Sequence, residues 1–197
     1  MTASPQVLLF DVMDTLVWDP VWIMADFFDA SLEELWAVKH PTACVDFECG
    51  KIDQQTFLDT FFLDGREYDQ DGFLQLFAQG YRWLDGVEEI LIELKQREVP
   101  MYALSNYPVW WKVIEEKLGL SKYLEWSFVS CMTGVRKPDP RAYLGPSESL
   151  GIPPESILFI DDRTRNCKAA RKIGMDAIRF QWASQLRSDL KIRGLLS

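Results

Sequence analysis

Val7-Leu8-Leu9-Phe10-Asp11-Val12-Met13-Asp14-Thr15-Leu16-Val17 is the stretch on which the fold turns. Val7 to Phe10 are apolar without alternation, and the run then reaches a carboxylate. A short run of this kind reads as a strand buried on both faces. Its far end carries Asp11, Asp14 and Thr15, polar residues that a buried strand avoids. In open α/β sheets, ligands bind in the crevice beyond the carboxyl ends of the strands. Taken alone, the stretch fits equally well a strand followed by a solvated turn, so the rest of the chain decides.

Downstream, the same grammar repeats. Val87, Ile90, Leu91 and Leu94 fall at i, i+3, i+4 and i+7, an amphipathic helix. Val99 to Leu104 reads as a second strand that ends in Ser105-Asn106, with Pro100 suited only to its first position. Val113, Ile114 and Leu118 give a helix closed by Gly119, and Trp126 to Ser130 a third short strand. In Arg136-Lys137-Pro138-Asp139-Pro140, Asp139 suits an N-cap and Pro140 the first helical position, placing Lys137 just before a helix. Gly145-Pro146 is expected to interrupt that helix. Ser156 to Ile160 is a fourth strand ending in Asp161-Asp162; a helix to Ile173 and a fifth strand, Asp176 to Phe180, follow. Strands alternating with helices predict a three-layer, Rossmann-like α/β fold with a parallel five-stranded sheet.

Residues 19–81 break this rhythm. Ser31-Leu32-Glu33-Glu34 has the form of a capping box, Asp53 is a candidate N-cap, and Asp71-Gly72 begins a helix that stops near Gly80. No strand-like alternation persists here. The expected organisation is a core of residues 1–18 and 82–197, with an all-helical cap, residues 19–81, inserted between the two core segments.

Composition narrows the partners. Of 197 residues, 48% are apolar, ample for a core, and the net charge is −9. That charge disfavours nucleic acid or an anionic membrane surface as partner but permits a phosphorylated small molecule bound in a local pocket. No apolar run is long enough to span a membrane, and residues 1–6 are too short for a leader peptide. The four scattered cysteines suit a reducing compartment, so a soluble intracellular protein is expected, with plastid and cytoplasm both open. His40, Cys44 and Cys49 lack a fourth ligand at zinc-like spacing and read as ordinary cap residues.

Four strand ends or adjoining loops therefore carry chemistry: Asp11, Ser105-Asn106, Lys137 and Asp161-Asp162. A parallel sheet brings them to one edge. Asp11 and Asp162 facing each other call for a cation between them, and oxygen ligands suit Mg²⁺. A carboxylate can also attack phosphorus to form an acyl phosphate, with Ser105, Asn106 and Lys137 supplying donors and positive charge to the phosphoryl oxygens.

These residues resemble the haloacid dehalogenase superfamily, in its type with a helical cap after the first motif. Asp11-Val12-Met13-Asp14-Thr15-Leu16, Ser105, Lys137 and Asp161-Asp162 stand in the order of its four motifs. Phe10–Thr15, Asn106–Pro108, Arg136–Pro140 and Phe159–Arg163 are similar to phrases of plant plastid flavin mononucleotide hydrolases in that superfamily, as are Lys39–Pro41 and Asp64–Arg66 in the cap. The resemblance implies that Asp11 is the nucleophile. It places Mg²⁺ on the Asp11 carboxylate, the Met13 backbone carbonyl and Asp162, with Asp161 and Asn166 in support. It gives Ser105 and the Asn106 amide to the phosphoryl group and Lys137 to charge neutralisation. A small phosphorylated metabolite is the implied substrate, flavin mononucleotide among the candidates.

The sequence departs from that pattern at Met13. The family's phosphatases carry a general acid and base two residues after the nucleophile, and a thioether cannot donate a proton. Such help is worth about 10²- to 10⁴-fold. Three readings stay open: a slow or specialised phosphatase in which Asp14 or a water moves the proton; dehalogenase-like chemistry, against which the retained Asp161-Asp162 pair argues; and a non-catalytic binding or regulatory protein. The aromatics Trp18, Trp22, Phe27, Phe28, Trp36, Phe61, Phe62 and Trp83 could stack a flat ring, but their first expectation is the cap's own core.

Overall fold

A computed structural model describes residues 5–197, so the reading of the first residues as too short for a leader lies largely outside the described range. The strands are β1 (Val7–Phe10), β2 (Met101–Ser105), β3 (Glu125–Val129), β4 (Ile157–Asp161) and β5 (Asp176–Arg179). They form one parallel sheet in the order β3-β2-β1-β4-β5. The expected sheet is therefore present, and β1 is its centre: Leu8 pairs with Met101 on one side and Leu158 on the other. All four β1 residues are buried, as an unalternating apolar run requires.

The period of two along each strand sorts side chains to the two faces. Leu8, Phe10, Leu158 and Ile160 share one core with α6 (Val87–Gln96), α7 (Trp111–Leu118) and α11 (Ala183–Ile192), through Ile90, Leu94, Ile114, Leu186 and Leu190. Val7, Leu9, Ile157 and Phe159 share the other with α9 (Arg141–Leu150) and α10 (Thr164–Lys172), through Ala142, Tyr143, Cys167 and Ala170. These are the three layers.

Between β1 and α6 lies the helical insert: α1 (Met24–Phe27), α2 (Leu32–Val38), α3 (Ala43–Glu48), α4 (Gln54–Asp59) and α5 (Gln70–Gly80). The Ser31–Glu34 capping box is formed in full, and Asp53 caps α4 through the Thr56 amide. The cap of α5 is Asp69, two residues before the expected start; its carboxylate reaches the Gly72 amide. His40 accepts from the Thr42 and Ala43 amides, which gives it a structural task at the start of α3. Phe28 packs on Phe27, Phe61, Phe62, Tyr68 and Phe73, so these rings are indeed the insert's core. The two connections to the sheet run side by side: Trp18 donates to the Arg82 carbonyl and Leu84 to that of Leu16.

The insert rests on the sheet edge through several contacts. Gly50 is so close to the Cys131 carbonyl that a Cβ there would lie 2.5 Å from it, which leaves room only for glycine. Trp110 Nε1 donates to Gln54 at 2.7 Å, and Lys117 donates to the Ala78 and Gln79 carbonyls. Gly145-Pro146 does not interrupt α9, contrary to expectation; the helix runs through it. Helical backbone before proline is disfavoured in part by a clash with the preceding Cβ, and Gly145 has none. The short α8 (Ser130–Thr133) precedes the loop carrying Lys137.

Candidate active site

Because the strands are parallel, β1, β2 and β4 all deliver their C-terminal residues to one edge. Asp11, Ser105 and Asp161 stand there side by side and are buried. After β1 the chain folds tightly on itself. The Val12 carbonyl accepts from Leu16 and Val17 at 2.8 and 2.9 Å, and Asp14 takes a left-handed conformation, φ 54°. Aspartate tolerates that region better than most residues. The Met13 carbonyl accepts no backbone hydrogen bond among the described residues.

Lys137 is the centre of the site's charge. It is 1% exposed, and its Nζ lies 2.9 Å from Asp11 Oδ1 and 2.8 Å from Asp161 Oδ2. The cation between facing carboxylates is thus partly supplied by the protein itself, bridging Asp11 and Asp161 rather than Asp11 and Asp162. Burial alone would depress the lysine, but its two carboxylates raise it above its usual range. Burial likewise pushes Asp161 up, yet Lys137, the Asn166 side chain and the Arg163 amide override it and hold that carboxyl below the ordinary range. On Asp11 burial prevails, with Asp161 and Asp162 adding to it against the pull of Lys137, and the carboxyl is raised. Asp11 Oδ1 is fixed by Lys137 and by the Val12 amide at 2.8 Å, leaving Oδ2 without a protein partner among the described residues.

Asp11, Asp161 and Asp162 each bring an oxygen within 4.8 Å of the others. Asp162 Oδ1 and Asn166 Oδ1 are buried with no hydrogen-bond partner among the described residues, and burial with Asp161 raises the Asp162 carboxyl to about 6. Buried acceptors without donors are costly. The donor set is oxygen only and suits a hard divalent cation. Ser105 Oγ, on the strand beside β1, is also buried and without a partner among the described residues.

Two expected residues differ in detail. The Asn106 side chain is engaged at both ends by the Lys137 backbone, donating at 2.8 Å and accepting at 2.7 Å. It holds the lysine loop. Asp14 turns to the insert, accepting from Trp22 Nε1 at 3.0 Å and from the Asp19 amide at 3.2 Å. Thr15, which the sequence reading gave no role, is fully buried and accepts from the Asp162 amide at 3.1 Å, locking the β1 and β4 loops together.

A small cavity of about 70 Å³ adjoins Asp11 and is also lined by Met13, Asp19, Asn106, Lys137 and Asn166. A larger one, about 710 Å³, lies between insert and sheet edge, with Trp22, Trp36, Phe61 and Trp110 in its walls. Asp19, Glu48, Tyr107, Arg136 and Arg163 line both. Tyr107, Arg136 and Arg163 fall within the quoted phrases, but the sequence assigns none of the five a role, and Asp19 and Glu48, in the insert, have no motif to mark them. Trp22 and Trp36 are 54% and 41% exposed, so these two rings, unlike the phenylalanines, are not core. No helix of the described residues is long and apolar enough to cross a membrane.

Comparison with known proteins follows the same line. The haloacid dehalogenase-like hydrolase pattern matches residues 5–174. Flavin mononucleotide hydrolase 1, a chloroplast protein of Arabidopsis thaliana, is 43% identical over 190 residues, 96% of this chain and 78% of that protein. A haloacid dehalogenase-family enzyme of Bacteroides thetaiotaomicron, an alanine mutant solved with magnesium and inorganic phosphate, superimposes with a TM-score of 0.74 at 20% identity, covering 93% of this chain and all of that one. A dehalogenase superimposes at 0.67 and 18% identity, covering 91% of this chain and 86% of that one. Structural likeness at that distance shows the fold alone. Family pattern, extent of identity and the arrangement at the sheet edge agree: the chain belongs to the haloacid dehalogenase-like hydrolases, with an inserted helical cap.

Proposed function

We propose that the protein is a Mg²⁺-dependent phosphomonoester hydrolase working through an aspartyl phosphate on Asp11, with flavin mononucleotide the leading substrate. The observation that carries the reading is the buried Asp11–Lys137–Asp161 bridge beside two unsatisfied groups, Asp162 Oδ1 and Ser105 Oγ. Asp11 Oδ2 is the nucleophile, because Oδ1 is already held. The Ser105 hydroxyl and the Asn106 backbone N–H bind phosphoryl oxygens, and Lys137 offsets the charge that accumulates there. Mg²⁺ would be held by Asp11, Asp162 and the Met13 carbonyl, with Asp161 and Asn166 behind them; bound there, it supplies positive charge for the phosphoryl oxygens and offsets the crowding of carboxylates.

The larger cavity suits an aromatic leaving group. The 43% identical plant relative is named for flavin mononucleotide, and Trp22 and Trp36 present exposed rings to the cavity against which a flat heterocycle can stack. The residues 19–81 unit, as a cap that closes over the edge, would set this preference. One observation favours a second reading: Met13, with no proton to give, lines the small cavity where an acid would be needed, which suits a protein that binds a phosphorylated ligand without turning it over. A phosphate-release assay with Mg²⁺ across flavin mononucleotide, sugar phosphates and nucleotides separates the two. Release, fastest from flavin mononucleotide, is expected; tight binding with no release from any of them would favour the binding protein.

A further inference from the structure

We infer that Asp19 is the proton donor to the leaving group, occupying in space the role that Met13 cannot fill in sequence. The inference rests on the phosphohydrolase reading above. In a phosphomonoester the bridging oxygen joins the phosphoryl group to the rest of the substrate. If the phosphoryl group sits in the small cavity at Asp11 and the leaving group in the larger one, that oxygen lies where the two meet. Asp19, Glu48, Tyr107, Arg136 and Arg163 line both cavities.

Four of the five are poor acids there. Arginine does not release its proton in proteins. Burial raises the Glu48 carboxyl as well, against the pull of Arg136 and Arg163, but that carboxylate is paired with Arg136 at 2.7 Å and is not free to turn to the leaving oxygen. Burial and its bond to Tyr81 hold the Tyr107 phenol well above its usual range, and that hydroxyl is already engaged at 2.7 Å. Asp19 is the carboxyl that remains. Its one side-chain hydrogen bond comes from the Val21 amide, 3.0 Å from Oδ1, as N-cap of the turn Pro20–Ile23; no lysine or arginine lies within bonding distance among the described residues. Asp14, the acid nearest in sequence to the nucleophile, lines neither cavity and faces Trp22.

The electrostatic setting agrees with the geometry. Burial raises the Asp19 carboxyl to about 6, with the Val21 amide and Arg163 opposing and Asp14 and Glu48 adding to it. Tyr81 and Tyr107 also lie near it, and Asp11, Arg136 and Lys137 line the small cavity with it. An acid near that value is protonated for part of the neutral range and can both give and take a proton.

The proton balance closes. As Asp11 Oδ2 bonds to phosphorus, the ester P–O bond breaks and its electron pair stays on the leaving oxygen. That oxygen takes the Asp19 proton and departs as an alcohol. The Asp19 carboxylate then accepts a proton from water as the water oxygen bonds to phosphorus. The bond from phosphorus to Asp11 breaks, inorganic phosphate leaves and both carboxyls are restored.

The test is kcat for an aryl phosphate, whose leaving group needs no proton, and for an alkyl phosphate, from pH 5 to 8.5, in wild type, Asp19→Asn and Asp14→Asn. Asparagine is also a good N-cap, so the Val21 contact persists; Asp19→Ser, another capping residue, stands in should the first variant fail to fold. Expected for Asp19→Asn is a loss of about 10²–10³-fold on the alkyl ester, a change within a few-fold on the aryl ester, and disappearance of the fall in alkyl kcat that wild type shows as pH rises through about 6. Asp14→Asn should leave the ratio of the two esters unchanged. Equal losses on both esters in Asp19→Asn, no loss on either, or an alkyl-selective loss in Asp14→Asn instead, would overturn the assignment while leaving the phosphohydrolase standing. Wild type that turns over neither ester, or any flavin or sugar phosphate, would remove the phosphohydrolase and Asp19's role together.

Discussion

Lys137→Met removes the ammonium that joins two buried carboxylates while keeping most of the side chain's volume. Lys137 is 1% exposed, and its contacts to Asp11 and Asp161 are 2.9 and 2.8 Å. Deleting one partner of a buried charge pair typically costs about 3–5 kcal/mol, because the other charge is left in low dielectric. For a domain of this size that corresponds to roughly 6–20 °C in Tm. The loss should depend on pH, and its direction follows from the shifts. Asp161 is held below its usual range by Lys137 among others, so in wild type its contribution is present above the unfolded-state value near 4 and is lost as pH falls through the folded value. Without the ammonium, Asp161 loses that hold and Asp11, already raised, rises further. The folded variant then binds protons more readily than its unfolded chain, and its stability increases as pH falls toward 5. The gap between wild type and variant should be widest near pH 8 and narrow toward pH 5. Urea unfolding with chelator present, at pH 8, 6.5 and 5, reads this directly. A gap under about 1 kcal/mol at pH 8, or one of constant size across the range, would refute the bridge as described.

Three further outcomes follow from the same geometry. Asp162→Ala should weaken Mg²⁺ binding at least tenfold by calorimetry; equal affinity in variant and wild type would remove Asp162 from the metal site. Asn106→Ala should cost about 1–3 kcal/mol by denaturant unfolding, since two hydrogen bonds to the Lys137 backbone are lost, and should lower turnover through misplacement of the lysine; unchanged stability would show that the loop holds itself. Met13→Asp in the Asp19→Asn background should restore part of alkyl-ester turnover by returning an acid beside the nucleophile, up to the general-acid factor of about 10²–10⁴, and no recovery would show that position 13 does not face the leaving oxygen.

The sheet and most of its edge were legible because burial on both faces leaves an unambiguous trace. Val7–Phe10 and Ile157–Ile160 are apolar without alternation, and the carboxylates that end them stand out against that background. Local capping chemistry was legible for the same reason: Ser31 with Glu34, and Asp53 with Thr56, act within one turn. What failed needed knowledge of a neighbour. Gly145-Pro146 looks like a stop unless the missing Cβ is weighed against the proline ring. Asp69, Asp71 and Gly72 crowd one turn, and only the actual bond to Gly72 shows that Asp69 is the cap. That the Asn106 side chain binds a loop thirty-one residues away is invisible until the fold is seen. Sorting Trp22 and Trp36 from the packed phenylalanines likewise takes exposure, which composition does not carry. Asp19 left no trace at all: one aspartate in a linker gains its setting only when the insert docks on the sheet edge and closes two cavities around it.

The central claim is that Asp11 carries the phosphoryl group, and covalent trapping tests it most directly. The enzyme is mixed with Mg²⁺ and flavin mononucleotide, quenched in acid during turnover and reduced with borohydride, which converts an aspartyl phosphate to homoserine. Peptide mapping then locates the change. The account predicts homoserine at residue 11 alone, dependent on substrate, with no turnover and no trapped product in Asp11→Asn, whose amide is too weak a nucleophile. Steady phosphate release with residue 11 unmodified, or sustained turnover by Asp11→Asn, would contradict it.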